Sequence, residues 1–403
     1  MTDPVPVTEH THDDSPVAEA GAQFLLRPGV AFLNHGSFGA CPRPVFAEYQ
    51  RWQRLLEEEP VEFLGRRLDD LLAEARAPLG AYLGASPDDL VFVPNATYGM
   101  NIVAHSFPLA PGDEVLGNTH EYGAVERTWT FVCEAKGAHY RSQPITLPLA
   151  SADEVIEQLW QGVTPRTRAL VISHITSPTA LTFPVAEICR RAAAQGIITI
   201  IDGAHVPGQI PLSLETLGAD FYMGNLHKWL CAPKGSAFLY ARRDRQPMLQ
   251  PLVVSWGWRA MIPGPSPFQD YFGWTGTSDP APYLSAPAAI AFQQENDWPS
   301  VRAQCHDLAL AASQRIGALT GLAPISPDTT DWWTQMRAIP LPRTETPAHE
   351  IQRRLWDDYQ IEVPIIDWQD HRFVRVSIQA YNTPRDVDRL VAALATILDK
   401  PER

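Results

Sequence analysis

Two charged residues near the middle of the chain stand where amine chemistry would need them. Asp202 follows the apolar run Ile197-Ile-Thr-Ile-Ile201 and opens the loop Asp202-Gly-Ala-His205. His227-Lys228-Trp229 arrives just after a second short apolar run at Phe221–Met223. A third polar group, Gly276-Thr277-Ser278, comes after the aromatic stretch Tyr271-Phe-Gly-Trp274. A lysine amine can form a Schiff base with the aldehyde of pyridoxal phosphate and later move protons at a substrate α-carbon. An aspartate beside the ring nitrogen favours its cationic form, which makes the ring an electron sink. Backbone N–H groups at a helix start, with hydroxyls, suit the phosphate dianion. Taken singly these signals are weak: a His-Lys pair is usually surface and Asp-Gly is more often a turn.

The elements that must hold these residues read as alternating strands and helices. Ala169–Ile175 is an apolar run of strand length. Val185–Gln195 has helical spacing through Val185, Ile188, Cys189 and Ala192, with Gly196 ending it. Ile197–Ile201 is the next strand, so this is a βαβ unit with parallel strands and a right-handed crossover. Further strands are expected at Leu90–Val93, Phe221–Met223 and Ser236–Tyr240. In an open α/β sheet, function belongs at the carboxyl ends of the strands, where Asp202 and Lys228 fall. Beyond about residue 285 the texture changes. A long helix over Ala286–Gly317 leads to strands near Thr334–Ile339 and Arg372–Ile378 and a final helix from Thr383. The expected division is a mobile tail at 1–20, a large α/β domain at 21–285 and a small α+β domain at 286–403. The N-terminal segment of the large domain could pack with the small one.

The bulk numbers suit this. The 403 residues carry a net charge of −14, with 19% charged and 45% hydrophobic residues, ordinary for a soluble globular protein. The acidic balance argues against nucleic acid or an anionic membrane as main partner. No run approaches the roughly 18 apolar residues of a span, and the N-terminus lacks a basic region and an apolar core. Cytoplasmic localisation is expected. The five scattered cysteines, Cys41, Cys133, Cys189, Cys231 and Cys305, form no metal-ligand pattern and read as reduced, mostly buried thiols. No metal is expected.

Order and wording together resemble the class V aminotransferase family of fold-type I pyridoxal-phosphate enzymes, from about Phe32 to Leu398. The matching segments are Phe32-Leu-Asn-His-Gly-Ser-Phe-Gly39, Asn95-Ala-Thr97, Glu121-Tyr-Gly123, Asp202-Gly-Ala-His205, Leu226-His-Lys228, Gly276-Thr277 and Arg375-Val-Ser377. The opening segment is most similar to the isopenicillin N epimerase-like branch and related cysteine desulfhydrases. The resemblance implies an α/β fold: a mostly parallel seven-stranded sheet with helices on both faces and a smaller α+β C-terminal domain. It implies pyridoxal 5′-phosphate bound through Lys228, with Asp202 at the pyridine nitrogen.

The remaining roles follow the same register. Ala96 and Thr97 come after a strand and before a helix-like stretch, so their amides suit phosphate, compatibly with an N-cap at Asn95 or Thr97. His205, His227 and Thr277 are further phosphate or cofactor contacts, although a histidine after a strand can simply satisfy local backbone. The resemblance implies a homodimer in which Thr277 reaches the neighbouring site. Tyr122 is expected to stack on the cofactor, with core packing as the other reading. Ser177 is expected near the cofactor's phenolic oxygen. Arg375 is the expected clamp for the substrate α-carboxylate, with Arg372 facing solvent. Asn34 and Ser255 are expected at the substrate mouth, and Trp256, Trp258 and Trp274 either wall a pocket or simply pack.

The reaction is narrowed by one missing residue. Cysteine desulfurases carry a mobile nucleophilic cysteine shortly before the carboxylate-binding arginine. Here Ile361-Glu-Val-Pro-Ile-Ile-Asp-Trp-Gln-Asp-His371 contains none. The leading expectation is an isopenicillin N epimerase-like enzyme acting at the α-carbon of an amino acid or peptide-like substrate. A cysteine desulfhydrase or other C–S lyase comes second and an aminotransferase third. A catalytically silent binding protein of the same fold is disfavoured by Asp202, Lys228 and Arg375 occurring together.

Overall fold

The computed structural model describes residues 16–398. Its strands, in chain order, are β1 (Ala31–Phe32), β2 (Leu90–Val93), β3 (Glu114–Asn118), β4 (His139–Gln143), β5 (Thr167–Ser173), β6 (Ile198–Asp202), β7 (Phe221–Asn225) and β8 (Ala237–Ala241). After them come β9 (Met336–Leu341), β10 (Ile361–Glu362), β11 (Ile365–Trp368) and β12 (His371–Ser377). Seven of these form the main sheet in the order β2-β8-β7-β6-β5-β3-β4. β8 runs antiparallel to both its neighbours and the other pairings are parallel. The expected mostly parallel seven-stranded sheet is observed.

Side chains of the central strands alternate between two cores. Leu170, Ile172, Ile201, Tyr222 and Phe238 face one, whereas Ala169, Val171, Ile200, Phe221, Met223 and Leu239 face the other. Both faces are therefore buried, which is why these strands are apolar runs rather than alternating ones. Helix Val185–Ala194 covers the first face through Ile188 and Ala192. Helices Ala96–Ser106 and Gly123–Lys136 cover the second through Val103 and Trp129.

Sequence patterning missed β3 and β4. β4 is an edge strand with a half-exposed, polar pattern, so it carries no apolar run. The expected single helix over Ala286–Gly317 is two, Ala286–Glu295 and Trp298–Thr320. The break falls at Asp297, which takes a left-handed φ of 43°. Of the expected tail, Pro16–Ala22 is helical with Val17 and Ala20 buried, a correction explained by apolar spacing that a polar flank obscured. The rest of that tail lies outside the described residues.

A three-stranded antiparallel sheet, β11-β12-β9, forms the smaller unit. β1 pairs in parallel with β10, and Asn34 bridges to Ser377. The N-terminal segment thus packs with the small sheet. Arg372, expected in solvent, is buried on β12 and forms a 2.7 Å ion pair with Asp367. The antiparallel register sets those two residues opposite each other. Among the described residues no helix is long and apolar enough to cross a membrane.

The opening segment also touches the heart of the molecule. Gly39 has φ 70°, and a Cβ there would lie 2.0 Å from the His227 carbonyl oxygen. Only glycine allows the two backbones to approach so closely. Gly39→Ala is therefore expected to cost about 3 kcal/mol or more in urea denaturation. Gly29→Ala, with φ 85° and nothing within 4 Å of a built Cβ, should cost only roughly 1 kcal/mol.

Candidate active site

A cavity of about 470 Å³ opens at the carboxyl ends of the main-sheet strands. Its lining includes Ser173 from β5, Asp202 from β6 and Asn225 from β7, each the last residue of its strand. Ser37, Asn95, Thr97, Tyr122, Ser177, His205, His227 and Lys228 complete the polar part of the wall.

The turn after β7 fixes Lys228. Leu226 and His227 donate their N–H groups to the Ser236 carbonyl, and the Lys228 carbonyl accepts from Cys231 N. The same carbonyl lies 3.0 Å from His35 Nε2, and His35 Nδ1 lies 2.9 Å from the Tyr381 hydroxyl. A carbonyl can only accept, so His35 carries its proton on Nε2 and takes the tyrosine O–H at Nδ1. Burial holds the His35 pKa down at about 3. Burial, helped by the neighbouring Arg375 charge and opposed by Asp202, lowers Lys228 to about 8. About a tenth of the amine is then unprotonated at pH 7, far more than for an ordinary lysine, and the free amine is the nucleophilic form.

Asp202 is buried, and its Oδ1 accepts from Ala204 N at 2.9 Å. Burial raises its pKa, while the Ala204 N–H and Lys228 pull it back. Among the described residues that carboxylate forms no ion pair, and a protonated ring nitrogen would supply one.

Arg375 is buried on β12 and reaches across to the cavity. Its Nη1 donates to the Ser177 carbonyl at 2.6 Å and hydroxyl at 3.1 Å, and Nη2 to Ser37 Oγ at 3.3 Å. Nε has no partner. Burial brings the guanidinium down to about 10, still cationic at neutral pH.

Several expected roles need revision. The Ala96 N–H is taken by Asn225 Oδ1 at 2.8 Å and the Tyr98 N–H by Asn95 Oδ1 at 2.9 Å, which leaves the Thr97 amide as the donor open to an anion at this helix start. His227 Nδ1 donates to the Ser236 carbonyl at 3.0 Å, so Nε2 of the neutral ring bears a lone pair. Burial keeps the ring neutral by lowering its pKa to about 4. It could pair with a phosphate only by taking up a proton. Ser177 is bonded to Arg375 as described. Asn34 lies outside the cavity wall: it accepts the Ser37 hydroxyl at 2.6 Å and donates to Glu362 at 3.1 Å. It therefore orients Ser37 rather than lining the mouth. Ser255 is also away from the cavity, in a surface loop with exposed Val254, Trp256, Met261 and Ile262. Trp258 is exposed there beneath Arg259, and Trp274 lines a different cavity. Thr277 is exposed in the loop after helix Pro267–Gly273 and does not reach its own chain's cavity.

Sequence reading gave no role to Ser37, Asn225, His35 or Glu121. Glu121 is buried, accepting from Ser173 N at 3.0 Å, Ser173 Oγ at 2.6 Å and Asn118 Nδ2. A polar residue at a strand end was the available signal for Asn225. For the others, partners distant in sequence made the role invisible. Among the described residues no group of His, Cys, Asp or Glu is arranged to hold a metal.

A profile described as Aminotransferase class-V matches residues 45–390. The chain belongs to the class V aminotransferase family. It is 38% identical to an isopenicillin N epimerase of Amycolatopsis lactamdurans, over 94% of this chain and 97% of that one. It is 30% identical to a putative L-cysteine desulfhydrase of Oryza sativa subsp. japonica, over 90% and 82%. The fold matches the cysteine desulfurase CsdA from Escherichia coli with TM-score 0.78 at 22% identity, covering 96% of this chain and 98% of that one. Membership of the class V aminotransferases makes this a pyridoxal 5′-phosphate enzyme. The cavity fits that group: an amine of lowered pKa, a buried acid with no ion pair among the described residues, an open helix-start amide and an orphaned guanidinium Nε.

Burial raises the Glu121 carboxyl from 4.5 to about 8, with Asp202 adding repulsion and the Ser173 and Asn118 donors opposing. An acid whose folded pKa is raised contributes stability that is complete below its unfolded value and is lost as pH rises through its folded value. Wild-type stability should thus decline between pH 4.5 and about 8 from this group. Glu121→Gln can keep all three contacts without the charge, its oxygen accepting from Ser173 N and Asn118 Nδ2 and its NH₂ donating to Ser173 Oγ. Denaturation midpoints measured across that range should show the decline flattened in the variant.

Proposed function

We propose that this enzyme inverts the α-carbon of an amino acid or peptide-like substrate, in the manner of an isopenicillin N epimerase. The observation that carries the reading is the near full-length similarity to such an epimerase together with a cavity whose lining contains no cysteine. Cys305 is buried within helix Trp298–Thr320, and Cys231 beside His35. Neither thiol has access to the cavity, so persulfide-forming sulfur transfer has no nucleophile there.

When bound, pyridoxal phosphate supplies a sink for the electron pair left as the α-proton departs. Lys228 anchors it and carries the α-proton on one face. Asp202 faces the ring nitrogen and holds its proton. The Thr97 amide and hydroxyl, with a protonated His227, hold the phosphate. Tyr122, half-exposed at the cavity wall, covers the ring. Arg375, already held by Ser177 and Ser37, receives the substrate α-carboxylate with a planar fork of donors. Inversion needs proton delivery to both faces of the α-carbon. We further propose a cytoplasmic homodimer in which Thr277 reaches the neighbouring active site. Its exposure, and the apolar loop around Trp256 and Met261, support a covered surface.

Incubation in deuterated water with L-amino acids and small peptides should yield α-deuterated product of mixed configuration, lost in Lys228→Ala. Retention of the α-proton would overturn the epimerase reading. Release of pyruvate and sulfide from cysteine would instead establish β-elimination, which the desulfhydrase similarity makes the second reading. Arg375→Gln is expected to raise KM for the productive substrate roughly 100-fold, with a smaller change in kcat. Steady-state kinetics on that substrate checks it.

A further inference from the structure

His205 is buried and contacts two groups through its two ring nitrogens. Nδ1 lies 3.2 Å from the Trp229 indole nitrogen, and Nε2 lies 3.2 Å from Lys228 Nζ. An indole N–H can only donate, so Nδ1 must be the acceptor. A neutral imidazole carries one proton, which leaves Nε2 as an N–H donor aimed at the lysine nitrogen. The opposite tautomer would set two N–H groups against each other at the indole.

The indole cannot turn away. Trp229 is fully buried, its ring 5.0 Å from that of His35, and its carbonyl accepts from Gln293 Nε2 at 2.8 Å. The ring cannot readily become imidazolium either, since its pKa is held well below the ordinary 6.5, chiefly by burial, with the Lys228 and Arg375 charges acting in the same direction.

From this geometry we infer that Trp229 is a positioning residue that locks His205 as the Nε2–H tautomer, so that His205 donates a hydrogen bond to Lys228 and selects the unprotonated lysine nitrogen. An N–H donor is satisfied there only by a lone pair; an ammonium would face it donor to donor. His205 therefore acts toward Lys228 as a donor and not as the base that deprotonates it. Asp202 opposes the effect by favouring the ammonium, while Arg375 acts with it. His227, the remaining titratable group close by, has its Nδ1 committed to Ser236.

The first test reads the tautomer directly. Ring-nitrogen NMR of ¹⁵N-histidine protein, with the His205 signal identified by its loss in His205→Gln, should show a protonated Nε2 and a bare Nδ1. A protonated Nδ1 would overturn the inference, and this readout does not depend on the cofactor being loaded. The second test follows the visible absorbance of the holoenzyme against pH, which reports protonation at the Lys228 nitrogen. Trp229→Phe frees the ring to turn its lone pair toward that nitrogen. The transition should then move up by about one pH unit, the size of one hydrogen bond. His205→Gln should keep the wild-type transition, because its amide oxygen can take the indole N–H while its NH₂ faces the lysine. In a His205→Phe background, Trp229→Phe should produce no further shift. An equal shift in both backgrounds would show that Trp229 acts through packing alone, and would sink the proposal.

Discussion

The structure depends on holding an amine, an acid and a guanidinium out of bulk water within one cavity. Asp202 and Arg375 are buried and Lys228 largely so, and Lys228 feels the charges of both Arg375 and Asp202. Burial alone disfavours both the ammonium and the carboxylate. Arg375 pushes Lys228 further toward the free amine, while Asp202 pulls it back. The cavity is suited to a ligand that brings a cationic ring, an aldehyde and a phosphate together.

That arrangement constrains the fold around it. Three adjacent parallel strands end at Ser173, Asp202 and Asn225, so their last side chains converge on one edge of the sheet. The turn bearing Lys228 is tied down from two directions, by Ser236 within the large sheet unit and by His35 from the opening segment. His35 in turn meets Tyr381, beyond β12, and Arg375 on β12 reaches Ser177 after β5. The small sheet and the N-terminal segment thus help to build the candidate site. The cavity is assembled from several regions of the chain, and Gly39 is a point of close backbone approach between two of them.

Buried histidines recur around the lysine, each with an assigned proton. His35 donates from Nε2 to the Lys228 carbonyl, His227 donates from Nδ1 to Ser236, and His205 accepts from Trp229 at Nδ1. Neutral rings with fixed tautomers supply directional donors and acceptors without adding charge to a site already crowded with it. The exception is His227, whose lone pair becomes useful to an anion only after the ring takes up a proton.

Much of this was legible from residue order alone. Apolar runs ended by Asp202, and by the turn carrying Lys228, mark parallel strands and the edge where chemistry belongs, because side-chain periodicity and chain connectivity are local properties. The absence of cysteine from Ile361–His371 is equally local. Only the tertiary structure could decide which hydrogen bonds the candidate residues spend on their own neighbours. It gave the Ala96 amide to Asn225, turned Asn34 toward Ser37, buried Arg372 against Asp367 and placed Ser177 under Arg375. It also revealed Glu121 and the Trp229–His205–Lys228 chain. Those pairings join residues far apart in sequence, and their strength depends on burial, which no stretch of sequence contains by itself.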